Sequence, residues 1–581
     1  MTARDPHSAA ETFVPIRTQV RDAVVRAWRA AEAAGRLPAV ADDGTAGAAV
    51  PAVGIERPAK PEHGDFASNL ALKLARPLRQ PPMQIATAVA DELRTAAVGA
   101  GPGEDPATAA LIADATAAAP GFINIRLADR ALERAIAAVV ADPAGWGRVP
   151  PINERNVNVE FVSANPTGPL TIGNARGAFV GDLLCRVLEA GGQRVTREYY
   201  FNDAGGQIDK LGASVVAVRR GEPVPEDGYH GDYVTELASS VPDDLWADAT
   251  AAGADSDAIV GRWAAARVRD GIEASLERLG VHFDVWKSEG SLHADGWVER
   301  AIERLRAGGH VYEEEGALWF RSTAFGDDKD RVIIRSNGQP TYFAADIGYV
   351  TEKLSRGFDH LIYIWGADHH GTVARLQNAA EAMGYDRAAV QILLYAWVRF
   401  VRNGVEVSMS KRAGEFITLD ELLEEVGVDA ARWFFASRAA TTEIDFDIEL
   451  AKTQSNENPV YYVQYAHARI ASILRKAGGA GLAAAPSVEG YLEGAPEAAL
   501  ARAIVRFPEV VEDAATSEET HGVTAYATEL ATQFHAFYRD ARVVDETEPE
   551  RSAARLALVS AARTTLANAL GLLGISAPES M

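Results

Sequence analysis

At 581 residues the chain is too long for one hydrophobic core, and three or four domains are expected. Apolar residues make up 48% and charged residues 24%, which excludes wholesale disorder. The formal net charge of −24 excludes a general polyanion binder, so any nucleic-acid contact must be local. Cys185 is the only cysteine, which excludes disulfides within the chain and thiolate-rich zinc sites. The N-terminal residues carry no signal-peptide core, and no stretch holds the roughly 18 apolar residues of a membrane span. A cytoplasmic protein without membrane partners or a structural metal is expected.

From Val20 the apolar residues Val20, Val24, Trp28 and Ala31 recur at helical spacing, and Gly35 with Pro38 supplies a stop. Residues 95–120 are rich in Ala, Gly and Pro; 121–127 then alternate like a strand, and a helix is expected near 128–140. A linker, ADPAGWGRVPPINERN, closes this unit. Residues 157–162 (VNVEFV) read as a strand, followed by a Pro/Gly loop and a helix from about 173 to 189. The pattern returns at 360–365 (HLIYIW), which leads through Gly366 into a helix ending near 383. Two strand-loop-helix units predict a doubly wound α/β sheet. Residues 205–320 between them read as an insertion, with an amphipathic helix marked by Val268, Ile272, Leu276 and Leu279. Beyond about 445 the pattern is helical, with segments near 456–476, 496–515, 522–540 and 550–573.

Two segments are candidates for phosphate chemistry. In Asn165-Pro166-Thr167-Gly168-Pro169-Leu170-Thr171-Ile172-Gly173-Asn174 a strand end feeds a helix start, whose free N–H groups suit phosphate. A simple helix cap by Thr171 and Asn174 explains that segment equally well. Ser408-Met409-Ser410-Lys411-Arg412 follows a strand-like YAWVRFV, and alone it is better explained as a solvated basic turn. No G-x-G-x-x-G stands at a strand-to-helix turn and no Walker motif is present, which disfavours a dehydrogenase or P-loop enzyme.

The order of strand, degenerate HIGH motif, Gly366-Ala367-Asp368-His369 and a KMSK-like loop resembles class I aminoacyl-tRNA synthetases. The stretches VEFVSANPTGPL, YYFNDAGGQIDKLG, TYFAADIGYVTEK, MSKRAGEFITLDELLEEVGVDAAR, NPVYYVQYAHARI and GDFASNLALKLA resemble arginyl-tRNA synthetases in particular, from about residue 10 to the C-terminus. The resemblance implies an N-terminal α+β, tRNA-contacting domain over 1–140. A Rossmann-like class I catalytic domain over 150–445 would follow, with the insertion at about 205–320, and then a helical anticodon-binding domain over 446–581. It also implies ligation of L-arginine to tRNA(Arg) through an arginyl-adenylate, with ATP and Mg2+ as substrate. A monomer is expected, and no editing site, because acids built to pair with guanidinium are left unpaired by lysine and reject it by roughly 10⁴ or more. A catalytically weakened, tRNA-binding paralogue is the alternative.

Residue by residue, the resemblance places Thr171, Asn174 and Lys411 in catalysis, and Gly173, Gly366, Asp368, His369, Met409, Ser410 and Lys411 around ATP. Glu160, Ser163, Asn165, Tyr342, Asp346 and His370 would hold arginine, since a planar guanidinium asks for a bidentate carboxylate. Tyr461, Tyr465 and Arg469, at i, i+4 and i+8, would stack and anchor an anticodon loop, with His467, Arg475 and Lys476 nearby. Phe66 and Asn69 would meet the tRNA elbow. Family members typically carry His at 171 and 174, and Lys at 408. Neutral hydrogen bonds contribute roughly 0.5–1.5 kcal/mol against roughly 1.5–3 for charged ones, so a slower synthetase with an unchanged mechanism is expected.

Overall fold

The computed structural model describes residues 12–39, 52–98, 111–203, 205–407, 418–492 and 494–581. In the N-terminal unit α1 (Ile16–Ala33), α2 (Leu70–Leu78) and α3 (Pro82–Val98) accompany an antiparallel sheet of order β1-β2-β4-β3. Its strands are β1 (Ile55–Glu56), β2 (Phe66–Ser68), β3 (Ile112–Ala118) and β4 (Phe122–Leu127), and α4 (Asp129–Ala141) follows. Val20, Val24, Trp28 and Ala31 all lie on the buried face of α1, as their spacing requires. Strand β3 lies in the Ala-rich stretch that reads as loop. Pairing along β4 holds it extended, with Ile112 and Ala115 in the core, so tertiary contact overrides weak strand propensity.

The central unit is an all-parallel sheet in which β12 (Val390–Tyr395), β11 (His360–Gly366), β5 (Asn156–Glu160), β6 (Arg194–Phe201) and β7 (Val285–Ser288) lie side by side in that order. Strand β5 (Asn156–Glu160) leads to α5 (Ile172–Ala190) and β6 (Arg194–Phe201). The crossover to β7 (Val285–Ser288) carries α6 (Gly206–Arg220), α7 (Asp232–Ser240), α8 (Asp243–Ala252) and α9 (Ser256–Arg278). The range 205–320 is therefore not an insertion throughout: β7 pairs in parallel with β6 and belongs to the core sheet. Its sequence, VWKS, is too short to show a period. Val268, Ile272 and Leu276 do form the buried face of α9.

After β7 come α10 (Glu289–Ala294), α11 (Trp297–Ala307) and a small sheet of β8 (Val311–Glu314), β9 (Ala317–Phe320) and β10 (Arg331–Ile334). Helix α12 (Tyr342–Ser355) then enters β11 (His360–Gly366), α13 (Val373–Ala382) and β12 (Val390–Tyr395). A third sheet joins β13 (Val398–Arg402), β14 (Val405–Glu406) and β15 (Ile444–Asp447) around α14 (Leu419–Val426) and α15 (Val428–Ala436), and α16 (Ile448–Lys452) follows.

The rest is helical: α17 (Pro459–Gly479), α18 (Ala495–Val505), α19 (Phe507–Ser517), α20 (Gly522–Asp540) and α21 (Pro549–Leu572). The single helix expected over 496–515 is two, because Pro508 lacks the N–H that would continue α18. Buried Arg432 locks the junction of these units. Its guanidinium donates to Asp182 Oδ2 (2.7 Å) and to the carbonyls of Leu279 (2.7 and 2.9 Å), Gly280 (3.1 Å) and Leu573 (3.1 Å). The N-terminal unit is clasped to the helical one by Arg57 on Glu509 (2.9 and 3.0 Å), Thr18 on Glu512 (2.9 Å) and Arg502 on Asp65 (2.7 Å). Among the described residues no helix is long and apolar enough to cross a membrane.

Candidate functional site

Neighbouring β5 and β11 run in parallel while their connections leave in opposite directions, so a crevice opens at their carboxyl ends. Glu160 ends β5, and the chain then turns sharply: Val162 and Ser163 take φ of +64° and +42°, and Ser163 N donates to Phe161 O at 2.9 Å. Positive φ at a β-branched valine is strained by about 1–3 kcal/mol and points to a functional position. The turn folds Ser163 back so that its Oγ donates to Glu160 Oε1 (3.2 Å) and accepts from Tyr200 N (3.1 Å). Glu160 itself is buried, with Lys353 Nζ 2.6 Å from Oε2. Burial pushes its carboxyl above the ordinary range, against the pull of Lys353. Helix α5 lies close enough to this strand that a Cβ at Gly181 would come within 2.3 Å of the Phe161 ring.

Asp346 sits on α12 within electrostatic reach of Glu160 and Glu289. Burial, then repulsion from Glu160 and Glu289, pushes its carboxyl up to about 7. Glu289, at the first position of α10, faces the Tyr200 hydroxyl, and its carboxyl is likewise raised, mainly by burial. The sequence reading missed Glu289, which stands in a range read as insertion. Its signal would have been an acid directly after a strand of the parallel sheet. Three carboxylates thus converge, with Lys353 as the cation bonded to one of them. Tyr342 lies one turn before Asp346 and is 71% exposed, so it stands at the rim rather than in a half-buried wall. Asn165 has both polar ends engaged, donating to Gln207 Oε1 (2.8 Å) and accepting from Asn202 N (3.3 Å); it ties the loop to α6. His370 is exposed in the turn after β11.

On the other side of β5, Asn174 Oδ1 accepts from both the N–H (3.1 Å) and the hydroxyl (3.0 Å) of Thr171. These two residues therefore cap α5. Among the described residues, a Cβ at Gly173 would meet only Thr171 Oγ1, at 3.4 Å. Thr171 bridges Thr418, and Leu419 N donates to Leu170 O (2.9 Å), so the chain re-enters beside the helix start directly after 417. Ser408, Met409, Ser410 and Lys411 lie outside the described residues. Arg176 is not a phosphate ligand: fully buried, it donates to the carbonyls of Ala396 (2.6 Å), Ala439 (3.0 Å) and Thr442 (2.6 Å). Burial pushes its guanidinium down to about 10. Across the crevice, Asp368 and His369 are exposed, 3.6 Å apart, and a Cβ at Gly366 would come within 2.4 Å of Asp368 Oδ1. Among the described residues no three His, Cys, Asp or Glu side chains are arranged to hold a metal ion.

Tyr461 and Tyr465 lie parallel on α17, ring centroids 6.4 Å apart, and Arg469 Nη1 donates to Tyr465 Oη at 3.3 Å. The expected stripe exists. His467 does not belong to it: the ring is buried, and its Nδ1 bonds to Pro578 O at 2.8 Å. Phe66 is 0% exposed beneath Arg57, so it supports the N-terminal surface and cannot touch a nucleic acid directly. Asn69, partly buried, precedes α2.

Three family models match the chain: an arginyl-tRNA synthetase N-terminal domain over 16–127, a class I (R) tRNA synthetase catalytic domain over 254–446, and a DALR anticodon-binding domain over 463–581. An arginine–tRNA ligase of Moorella thermoacetica is 46% identical over 540 residues, covering 91% of this chain and 93% of that protein. One from Bacillus licheniformis is 44% identical, covering 92% and 95%. The arginyl-tRNA synthetase structure of Thermus thermophilus, 24% identical, shares the fold with a TM-score of 0.74 over 97% of this chain and 100% of that one. With identity at this level along nearly its whole length, the chain belongs to the arginyl-tRNA synthetase family.

Proposed function

We infer that the chain is an arginine–tRNA ligase that activates L-arginine with ATP and transfers it to tRNA(Arg). Relatives at 44–46% identity bear that activity in their names, and nothing in them supports a weakened paralogue. The observation that carries the reading is that Glu160 and Glu289 stand at the carboxyl ends of β5 and β7 of the parallel sheet, with Asp346 within electrostatic reach of both. Arginine brings two cations, and the crevice has carboxylates for both: Asp346 and Glu289 toward the guanidinium, Glu160 toward the α-ammonium. Lysine would leave bidentate acceptors without donors, which supports discrimination by roughly 10⁴ without editing.

The arginine carboxylate is ionised near neutral pH, so no general base is required. Its oxygen attacks the α-phosphorus of ATP, pyrophosphate leaves, and a terminal ribose hydroxyl of tRNA then attacks the adenylate carbonyl and displaces AMP. Thr171, Asn174, Gly173, Gly366, Asp368, His369 and the segment with Met409, Ser410 and Lys411 surround ATP in this reading, and Mg2+ enters with ATP as substrate. Tyr342 and His370 close the rim over arginine, beside Ser163 and Asn165. Tyr461, Tyr465 and Arg469 receive the anticodon loop, and Asn69 faces the tRNA elbow, on a surface that buried Phe66 supports from β2. A cytoplasmic monomer completes the reading, supported by the lone buried Cys185 and by the clasp between the first and last units of one chain.

Charging of bulk tRNA with each amino acid in turn tests the assignment; charging with any other amino acid in preference to arginine would overturn it. Two further outcomes are expected. Because arginine requires Asp346 ionised, its KM should be flat above about pH 7 and rise as pH falls below it. A pH-independent KM between 6 and 8 would contradict the role. Thr171→His should speed pyrophosphate exchange by about tenfold, the difference between a charged and a neutral donor, while losing about 1 kcal/mol of helix-cap stability. A mutant that is slower in exchange would remove position 171 from the phosphate site.

A further inference from the structure

The loop between β5 and α5 has little means of holding its own shape. Pro166 and Pro169 carry no N–H, and Gly168 between them has no side chain to restrict it. Within the loop Thr167 N donates to Asn165 O at 2.8 Å, and at its far end Leu170 O accepts from Leu419 N at 2.9 Å. Side chains from other elements hold the rest. Tyr199 Oη donates to Ala164 O (2.8 Å) and accepts from Ala164 N (3.0 Å), and Gln207 Oε1 of α6 accepts from Asn165 (2.8 Å). The middle of the loop falls to Tyr233 on α7, whose hydroxyl donates to Thr167 O at 2.9 Å. Its ring lies against Gly168, where a Cβ would come within 3.3 Å of the hydroxyl oxygen and 3.4 Å of Cζ. Burial raises the phenol above its ordinary range, so it remains a protonated donor at neutral pH.

The hydroxyl is not needed to keep α7 in place. Tyr229 N donates to Oγ of Ser214, fully buried on α6 (2.8 Å), Arg219 Nη1 donates to Ala238 O (2.9 Å), and Val234 and Ala238 pack into the core. What the hydrogen bond adds is a fixed point four residues before Thr171. Thr171 is the N-cap of α5, with extended φ and ψ of −91° and 161°. It stands outside the helix proper and takes its place from the chain that leads into it.

We propose that Tyr233 is a positioning residue for the ATP site: by holding the Thr167 carbonyl it fixes the run from Thr167 to Thr171 against which ATP is received. The inference rests on the reading of Thr171 and Asn174 as neighbours of ATP. Tyr233 acts through the Thr167 carbonyl, and the crossover between β6 and β7 that carries it becomes part of the adenylation machinery.

The test measures KM for ATP and for arginine by pyrophosphate exchange with tRNA present, in the full-length wild type, Y233F and N174A. Y233F keeps the ring on Gly168 and deletes the donor. It should raise KM for ATP by about fivefold, the contribution of one neutral hydrogen bond, and change KM for arginine by less than about twofold. A residue that only packs would move neither constant in preference to the other. Both constants unchanged, both raised alike, or arginine alone affected would overturn the inference. N174A examines the underlying assignment separately. It should also raise KM for ATP, and an unchanged value would overturn the placement of ATP at the start of α5, and the inference with it.

Discussion

Asp346→Asn is expected to lower kcat/KM for arginine by roughly 10²-fold, because an amide offers one acceptor where a guanidinium needs two charged ones and loses about 3 kcal/mol of charge-assisted bonding. The same substitution should raise the melting temperature of the arginine-free protein. Asp346 is crowded by burial and by the charges of Glu160 and Glu289, which bring its carboxyl up to about 7, whereas an unfolded aspartate titrates near about 3.9. A carboxyl raised on folding destabilises the native state increasingly as pH climbs from about 4 to about 7, and fully above that. Asparagine removes this term, so the gain should be absent at pH 4 and present at pH 8. Arginine should protect the wild type against heat and fail to protect the variant. Melting curves at the two pH values, with and without arginine, check both halves; an unchanged arginine KM would take Asp346 out of the pocket.

The largest loss of stability is expected at Arg432→Met, on the order of 3–5 kcal/mol, the usual consequence of removing one member of a buried, hydrogen-bonded charge cluster. Arg432 is 1% exposed, and its loss would strip a charge from Asp182 and a donor from the carbonyls of Leu279, Gly280 and Leu573. Asp182 would keep only Arg186 at 2.7 Å and the distant Arg197. Arg432→Lys should not rescue it, since an ammonium lacks the planar fork that spans these acceptors. Urea midpoints for the three proteins decide the matter; a loss under about 1 kcal/mol would show that the cluster relaxes or hydrates freely.

The physical reason some of this was legible in the sequence, and some not, lies in the range of the interactions. Helix α1 and the face of α9 are set by residues three and four apart, so Val20, Trp28 and Ile272 announce themselves. The β5-to-α5 and β11-to-α13 units follow from a strand, a turn and an amphipathic run. Strand β7 is four residues long, and β3 is mostly alanine; each exists because a distant strand pairs with it. In the candidate site, long motifs single out Glu160 and Asp346, whereas Glu289 reads as one surface acid among many until α10 folds it toward Tyr200. The aromatic identities at 66 and 467 gave no hint of burial, which depends on neighbours as remote as Pro578.

The clasp between the two ends of the chain also sets a timetable. Arg57 waits for Glu509, 452 positions later, and Asp65, which accepts from Leu127 N within its own unit, gains its cation only when Arg502 is made, 437 positions later. At a ribosomal pace of about 5–20 residues per second, the N-terminal unit stands for roughly 20–90 s with these faces uncovered. It must therefore be stable enough to wait, and its exposed arginines and aspartate keep the waiting surface polar while the rest of the polypeptide is still being made.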